Sequence, residues 1–125
     1  MKFLTDQQVA NVHEILMARD GGLAGYREGA SLSAVLERVR NLIRFGGDTY
    51  TDPVGVAAMT TFALTIGYPF NDGNKRTALA CGLIVLQVNG HQRSPDSDDL
   101  ARLIVEAASG NLDQSLFLKR YRALC

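Results

Sequence analysis

Two apolar segments with almost no polar face, separated by one short polar break, dictate the centre of this fold. From Val54 through Val56, Ala57, Met59, Phe62 and Leu64 to Ile66 the chain is apolar nearly all round, and the same character resumes from Lys75 to Asn89. A helix without a polar face is stable in water only when neighbours cover it on every side. The longest mostly apolar stretch, Ala78 to Val88, is far shorter than the roughly 20 residues a membrane span needs. Both segments therefore belong at the middle of a water-soluble bundle. The polar stretch between them must emerge from the most rigid part of the molecule.

The flanking sequence supplies helices to cover that centre. Thr5-Asp6-Gln7-Gln8 has the form of a capping box, in which Thr5 accepts an orphan N–H and Gln8 reaches back. Val9, Val12, Leu16 and Met17 follow on one stripe, and Gly21-Gly22 closes the helix. Ser31 caps a second helix with the stripe Leu32, Val35, Leu36, Val39 and Ile43, ended by Gly46-Gly47. Asp52-Pro53 starts the first apolar helix, with Asp as cap and Pro in the first turn. Ser97 or Asp98 opens a fifth helix closed by Gly110, and Asp113 caps a sixth. The only strand signal is a possible short flap around Phe45 to Thr51. The expected architecture is all-α, about six helices in one domain spanning residues 1–125, with the second apolar helix buried at the centre.

Charge and cysteines narrow the function. The 13 basic and 13 acidic residues balance, so no cationic surplus drives non-specific nucleic-acid binding, and direct DNA contact is not expected. Met1 to Asp6 lacks a signal-peptide core. Cys81 and Cys125 form no motif, and Cys81 falls inside an apolar run. The expectation is a cytoplasmic protein with reduced thiols and no membrane association.

The chemistry concentrates in Tyr68-Pro69-Phe70-Asn71-Asp72-Gly73-Asn74-Lys75-Arg76-Thr77. Small and polar residues here precede the N-terminus of a buried helix, where free N–H groups and the helix dipole favour an anion. Gly73 allows close approach of the backbone to a phosphate. Asn74, Lys75 and Arg76 add donors and two positive charges, and Asp72 suits a Mg²⁺ ion bridging nucleotide oxygens. Phe70 between polar neighbours is placed to peg the loop into the core. The competing reading is a solvated turn whose Asp and Asn only cap the next helix. A Walker loop is excluded, since Gly67 to Lys75 does not fit G-x-x-x-x-G-K-S/T.

YPFNDGNKR (Tyr68 to Arg76) resembles the Fic/Doc signature His-x-Phe-x-Asp/Glu-Gly/Ala-Asn-Gly/Lys-Arg at every position but the first. Chain length, the string Gly21-Gly22-Leu23-Ala24-Gly25 and the apolar helix after the motif resemble the short Doc (death-on-curing) toxins. The resemblance implies a helical Fic/Doc fold and an ATP- and Mg²⁺-dependent transferase. Lys75, where the wider family commonly has Gly, implies transfer of the γ-phosphoryl group rather than AMP. The absence at Leu79 of a second motif Arg agrees with that branch. By the same resemblance Asp72 binds Mg²⁺ and Asn74 contacts phosphate. Lys75 and Arg76, with Gly73, seat the nucleotide and neutralise developing charge. Phe70 anchors the loop, and Arg44 to Thr51 correspond to a flap aligning the target. The implied target is a hydroxyl on a translation elongation factor. The implied partner is a Phd-like antitoxin whose helical tail docks near the motif loop. An internal inhibitory helix of the form Ser/Thr-x-x-x-Glu-Gly/Asn is missing, because Arg38 follows Ser33 to Glu37.

Tyr68 stands where the resemblance calls for the catalytic His. A neutral imidazole accepts a proton near pH 7, whereas an ordinary tyrosine titrates near 10. Losing a general base costs roughly 10² to 10⁴-fold, so severely reduced activity with a retained nucleotide site is expected. Two origins fit: a native residue in a relative that binds without catalysing, or a substitution that silences a growth-arresting toxin, the latter preferred. The alternatives in other classes are a catalytically silent nucleotide- or protein-binding module and an AMP-transferase. His13, near the polar edge of its helix, and His91 read as structural or solvent-facing residues without metal-ligand spacing. Arg38/Arg40 and Lys119/Arg120/Arg122 read as solvated faces.

Overall fold

The computed structural model describes residues 1–125 as six α-helices and one short 3₁₀ turn. In chain order the helices are α1 (Asp6–Asp20), α2 (Leu32–Phe45), α3 (Pro53–Gly67), α4 (Asn74–Val88), α5 (Ser97–Ala108) and α6 (Gln114–Leu124). No strand forms; pairing is limited to one antiparallel bridge between Tyr26 and Phe70. No helix is long and apolar enough to cross a membrane.

α3 is the hub. Twelve of its 15 residues are buried, and α2, α4, α5 and α6 all pack against it. Its neighbour α4 lies along it but is buried along one face only: Thr77, Ala78, Cys81, Gly82, Val85 and Leu86. Leu79, Leu83 and Ile84 are only partly buried and Val88 is 42% exposed. The expectation of a fully enclosed second helix is corrected accordingly. One continuous core joins residues from all six helices, with Leu36, Phe117 and Tyr121 completely inside. Each such side chain contributes about 1.5–3 kcal/mol of transfer free energy.

The caps explain the boundaries. Thr5 and Gln8 exchange both capping-box bonds, Ser31 accepts from Ala34 N–H, and Asp113 accepts from Leu116 N–H. Two further starts fall where expected, α3 at Pro53 after Asp52 and α5 at Ser97, and only the capping side chains behave differently. α5 is capped by Asp96, whose carboxylate accepts from Asp98 and Asp99 N–H, one residue earlier than Ser97. Pro53 opens α3, but the Asp52 carboxylate makes no cap hydrogen bond to it and meets Arg122 instead, at 2.7 and 2.6 Å. An arginine fork meeting both carboxylate oxygens outcompetes a single N–H.

The segment expected as a flap forms no strand. α2 continues through Phe45, and Asp48–Tyr50 make a 3₁₀ turn tied by Arg122 to the Thr49 carbonyl, 2.9 Å. The Tyr50 hydroxyl accepts from Gln114 at 3.0 Å. These ties hold it beside α6 and the N-terminal end of α3.

Candidate functional site

The break between α3 and α4 is a tight, cross-braced loop at the edge of a cleft of about 490 Å³, lined by Asn71 to Arg76 together with Thr65, Tyr68 and Ala108. Phe70 is its root. The ring is 3% exposed and stacks on His13 at 3.7 Å with 5° between planes, and Tyr26 meets it at 5.3 Å. Asn74 closes the loop on itself: its side chain accepts from Phe70 N–H at 3.0 Å and donates to the Phe70 carbonyl at 2.9 Å. The amide at position 74 is thus engaged in holding the loop.

What remains free is the helix N-terminus. The backbone N–H groups of Asn74, Lys75 and Arg76 have no acceptor in the protein, and the first intrahelical-type bond runs from Thr77 N–H to the Gly73 carbonyl. These are orphan donors at the positive end of a 15-residue helix, the arrangement that attracts phosphate. Gly73 reaches it with φ +76°, a left-handed conformation in which a Cβ would collide with the Met17 side chain.

The charges divide sharply. Lys75 is exposed and makes no ion pair, while Arg76 is held at 3.0 Å by Asp20 at the end of α1. Asp20 also receives the Arg19 guanidinium at 2.8 Å. Arg19 first, and then Arg76, bring its carboxyl down to about 2 against the opposing effect of burial. Asp72 is exposed; one oxygen accepts from Gly73 N–H at 2.8 Å and the other faces Leu23 N–H at 3.4 Å. No cluster of three or more His, Cys, Asp or Glu side chains forms. A lone carboxylate fits Mg²⁺ where nucleotide phosphates complete the coordination, since that ion keeps its waters and takes one or two protein carboxylates. It does not fit a protein-enclosed metal cage.

Tyr68 terminates α3 with φ 25° and ψ 69°, the one non-glycine residue of positive φ. Such backbone costs of order 1–3 kcal/mol. Arg27 offsets it. The guanidinium donates to the Tyr68 carbonyl at 3.0 Å and the Gly67 carbonyl at 3.4 Å, and sits 4.1 Å above the Tyr68 ring. A cation there satisfies orphan carbonyls at the negative end of the helix and contacts the aromatic face. The ring is 49% exposed and lines the cleft.

The segment beside this loop is Gly22 to Arg27, not Arg44 to Thr51. Asn71 N–H donates to the Gly25 carbonyl at 3.0 Å, Arg27 N–H to the Pro69 carbonyl at 2.9 Å, and the Asn71 side chain to the Ala24 carbonyl. Residues 44–51 precede α3 whereas the loop follows it, so the two stand roughly 20 Å apart by helix rise. His13 is likewise relocated. It is 5% exposed beneath the loop, with Nε2 2.8 Å from the Asp72 carbonyl. Sequence reasoning missed Asp20, Arg27 and Met17. Only the glycines at 21, 22 and 25 advertised a close approach.

Comparison with known proteins gives a family and a relative. Residues 3–86 match the Fic/DOC family. The chain is also similar to protein kinase doc of Escherichia phage P1, 34% identical over 124 residues that cover 99% of this chain and 96% of that protein.

Proposed function

The chain belongs to the Fic/DOC family, and from that premise we propose that it is a Doc-type phosphotransferase scaffold with a disabled base. In this reading it binds ATP and Mg²⁺ in the α3–α4 cleft. Its reaction class is transfer of the γ-phosphoryl group to a protein hydroxyl, on a translation elongation factor, as the toxin half of a toxin–antitoxin pair in the cytoplasm. The brake is a separate Phd-like antitoxin with a helical tail that docks near the motif loop. Tyr68 in the base position leaves the nucleotide site in place and removes most of the rate.

One observation carries the reading: three unpartnered N–H groups and the unpaired Lys75 converge on the cleft that Asp72 also lines. The N–H groups of residues 74–76 bind phosphate oxygens through the main chain. Lys75 neutralises charge on the transferred group and Arg76 does so when released from Asp20. The Asp72 carboxylate holds Mg²⁺, which when bound screens the phosphate charges. Asn74 acts by keeping the loop closed on Phe70.

The test is label transfer from γ-labelled and α-labelled ATP to a cell extract, with this chain and Tyr68→His in parallel. Transfer of γ label by Tyr68→His, at roughly 10² to 10⁴ times the parent rate, is expected. Equal rates from both proteins would refute the disabled base. Transfer of α label identifies an AMP-transferase instead. The exposed Tyr68 ring held by Arg27 favours a second reading, a silent nucleotide-binding module. Nucleotide binding with no transfer by either protein would select it.

A further inference from the structure

We propose that His13 is a positioning residue that keeps the phosphate-binding nest open, by taking the carbonyl that would otherwise close it. The inference rests on the reading of the α3–α4 loop as a nucleotide site. In an unbroken helix the N–H of residue 76 donates to the carbonyl of residue 72, four positions back. Here that bond is missing, and Arg76 N–H has no partner. The Asp72 carbonyl faces His13 instead, at 2.8 Å, and no other protein group donates to it.

The direction of the bond follows from chemistry. A carbonyl has no proton to give, so Nε2 of His13 is the donor and the ring's tautomer is set at that nitrogen. The peptide between Asp72 and Gly73 is trans, and its C=O and N–H point to opposite sides. Drawing the carbonyl towards α1 turns Gly73 N–H the other way, where it meets Asp72 Oδ1 at 2.8 Å. One hydrogen bond therefore orients the carboxylate assigned to Mg²⁺ and leaves a donor vacant for phosphate. Gly73 lacks a Cβ, so this peptide rotates at little cost unless something holds it. His13 is fixed firmly enough to do so, being 5% exposed and stacked face to face on Phe70.

The test compares the parent with His13→Leu and His13→Gln. Glutamine places a donor near the position of Nε2, whereas leucine fills space and donates nothing. Hydrogen exchange at the Arg76 amide, followed by nuclear magnetic resonance on the free protein, reads the nest directly. We expect fast exchange in the parent and in His13→Gln, and exchange slowed about tenfold in His13→Leu as the carbonyl swings to Arg76. Affinity for Mg·ATP should fall about tenfold in His13→Leu and stay within about threefold in His13→Gln. Should His13→Leu fail to fold, His13→Met serves as the non-donating variant. Identical Arg76 exchange in all the proteins would overturn the inference. Absence of Mg·ATP binding by the parent would instead overturn the nucleotide reading, with the exchange comparison still deciding the role of His13.

Discussion

Arg76 meets the cleft with its charge already engaged. Asp20 holds the guanidinium at 3.0 Å, and the carboxylate is ionised at any pH above about 4 because Arg19 and Arg76 bring its pKa to about 2. An anion entering the cleft must share Arg76 with this negative charge. Asp20→Asn should therefore bind inorganic pyrophosphate about threefold to fivefold more tightly than the parent by calorimetry. The gain should shrink in high salt, and since Asp20 does not titrate between pH 5 and pH 8 any change in it across that range follows the charge of pyrophosphate. Weaker binding would mean that Asp20 aligns Arg76 rather than competing for it. None of this was legible in the chain. The motif residues were readable because they are contiguous, but Asp20 and His13 act from α1, across 56 and 59 positions. Their roles exist only once α1 lies under the loop.

Helix starts were legible wherever a short side chain serves its own helix, as at Thr5, Ser31 and Asp113. The start at Asp52-Pro53 was legible too, but not the partner of its carboxylate, which is the distant Arg122. The amphipathic character of α4 was hidden for a different reason. Its outer face carries Leu79, Leu83 and Ile84, so the composition reads as buried all round although one side is only half covered. The inner face depends on a residue that periodicity ignores. A Cβ at Gly82 would press on the Thr61 hydroxyl, stand 3.0 Å from the Tyr121 hydroxyl and 3.2 Å from the Ala57 carbonyl. Glycine is there so that α3 and α4 can approach, despite a helix-propensity cost of about 1 kcal/mol relative to alanine. Gly82→Ala regains that propensity but overpacks the junction, for which about 1–3 kcal/mol is usual. The net expectation is a loss of about 1 kcal/mol, seen as a thermal midpoint lower by about 3–6 °C. A midpoint raised by the substitution would show that the helix pair has slack.

Across the whole molecule, α3 is gripped at both ends by arginines from other segments. Arg27 holds the C-terminal carbonyls beside the cleft, and Arg122 of α6 holds Asp52 and the Thr49 carbonyl at the other end. The second tie joins the last helix to the hub, beside the Arg40–Asp6 and Arg120–Glu106 pairs that join α2 to α1 and α6 to α5. The Arg122 fork holds the Asp52 carboxyl below its ordinary value, against the opposing effect of burial. A carboxylate with a depressed folded pKa contributes stability that is fully present above the unfolded value, near 4, and is lost as pH falls through the folded one. Both partners are more than a third exposed, at 38% and 41%, so solvent screening limits the contribution to about 0.5–1 kcal/mol. Denaturant unfolding of the parent and Arg122→Ala should differ by about that amount at pH 7. The gap should narrow below pH 4 and nearly close once Asp52 is protonated in the folded protein as well. Arg122→Ala also removes the donor to Thr49, so a minor fraction of the difference should persist in acid. A gap that keeps its full size at pH 2 would assign the stabilisation to that backbone contact and to packing of the arginine stem, and not to the ion pair.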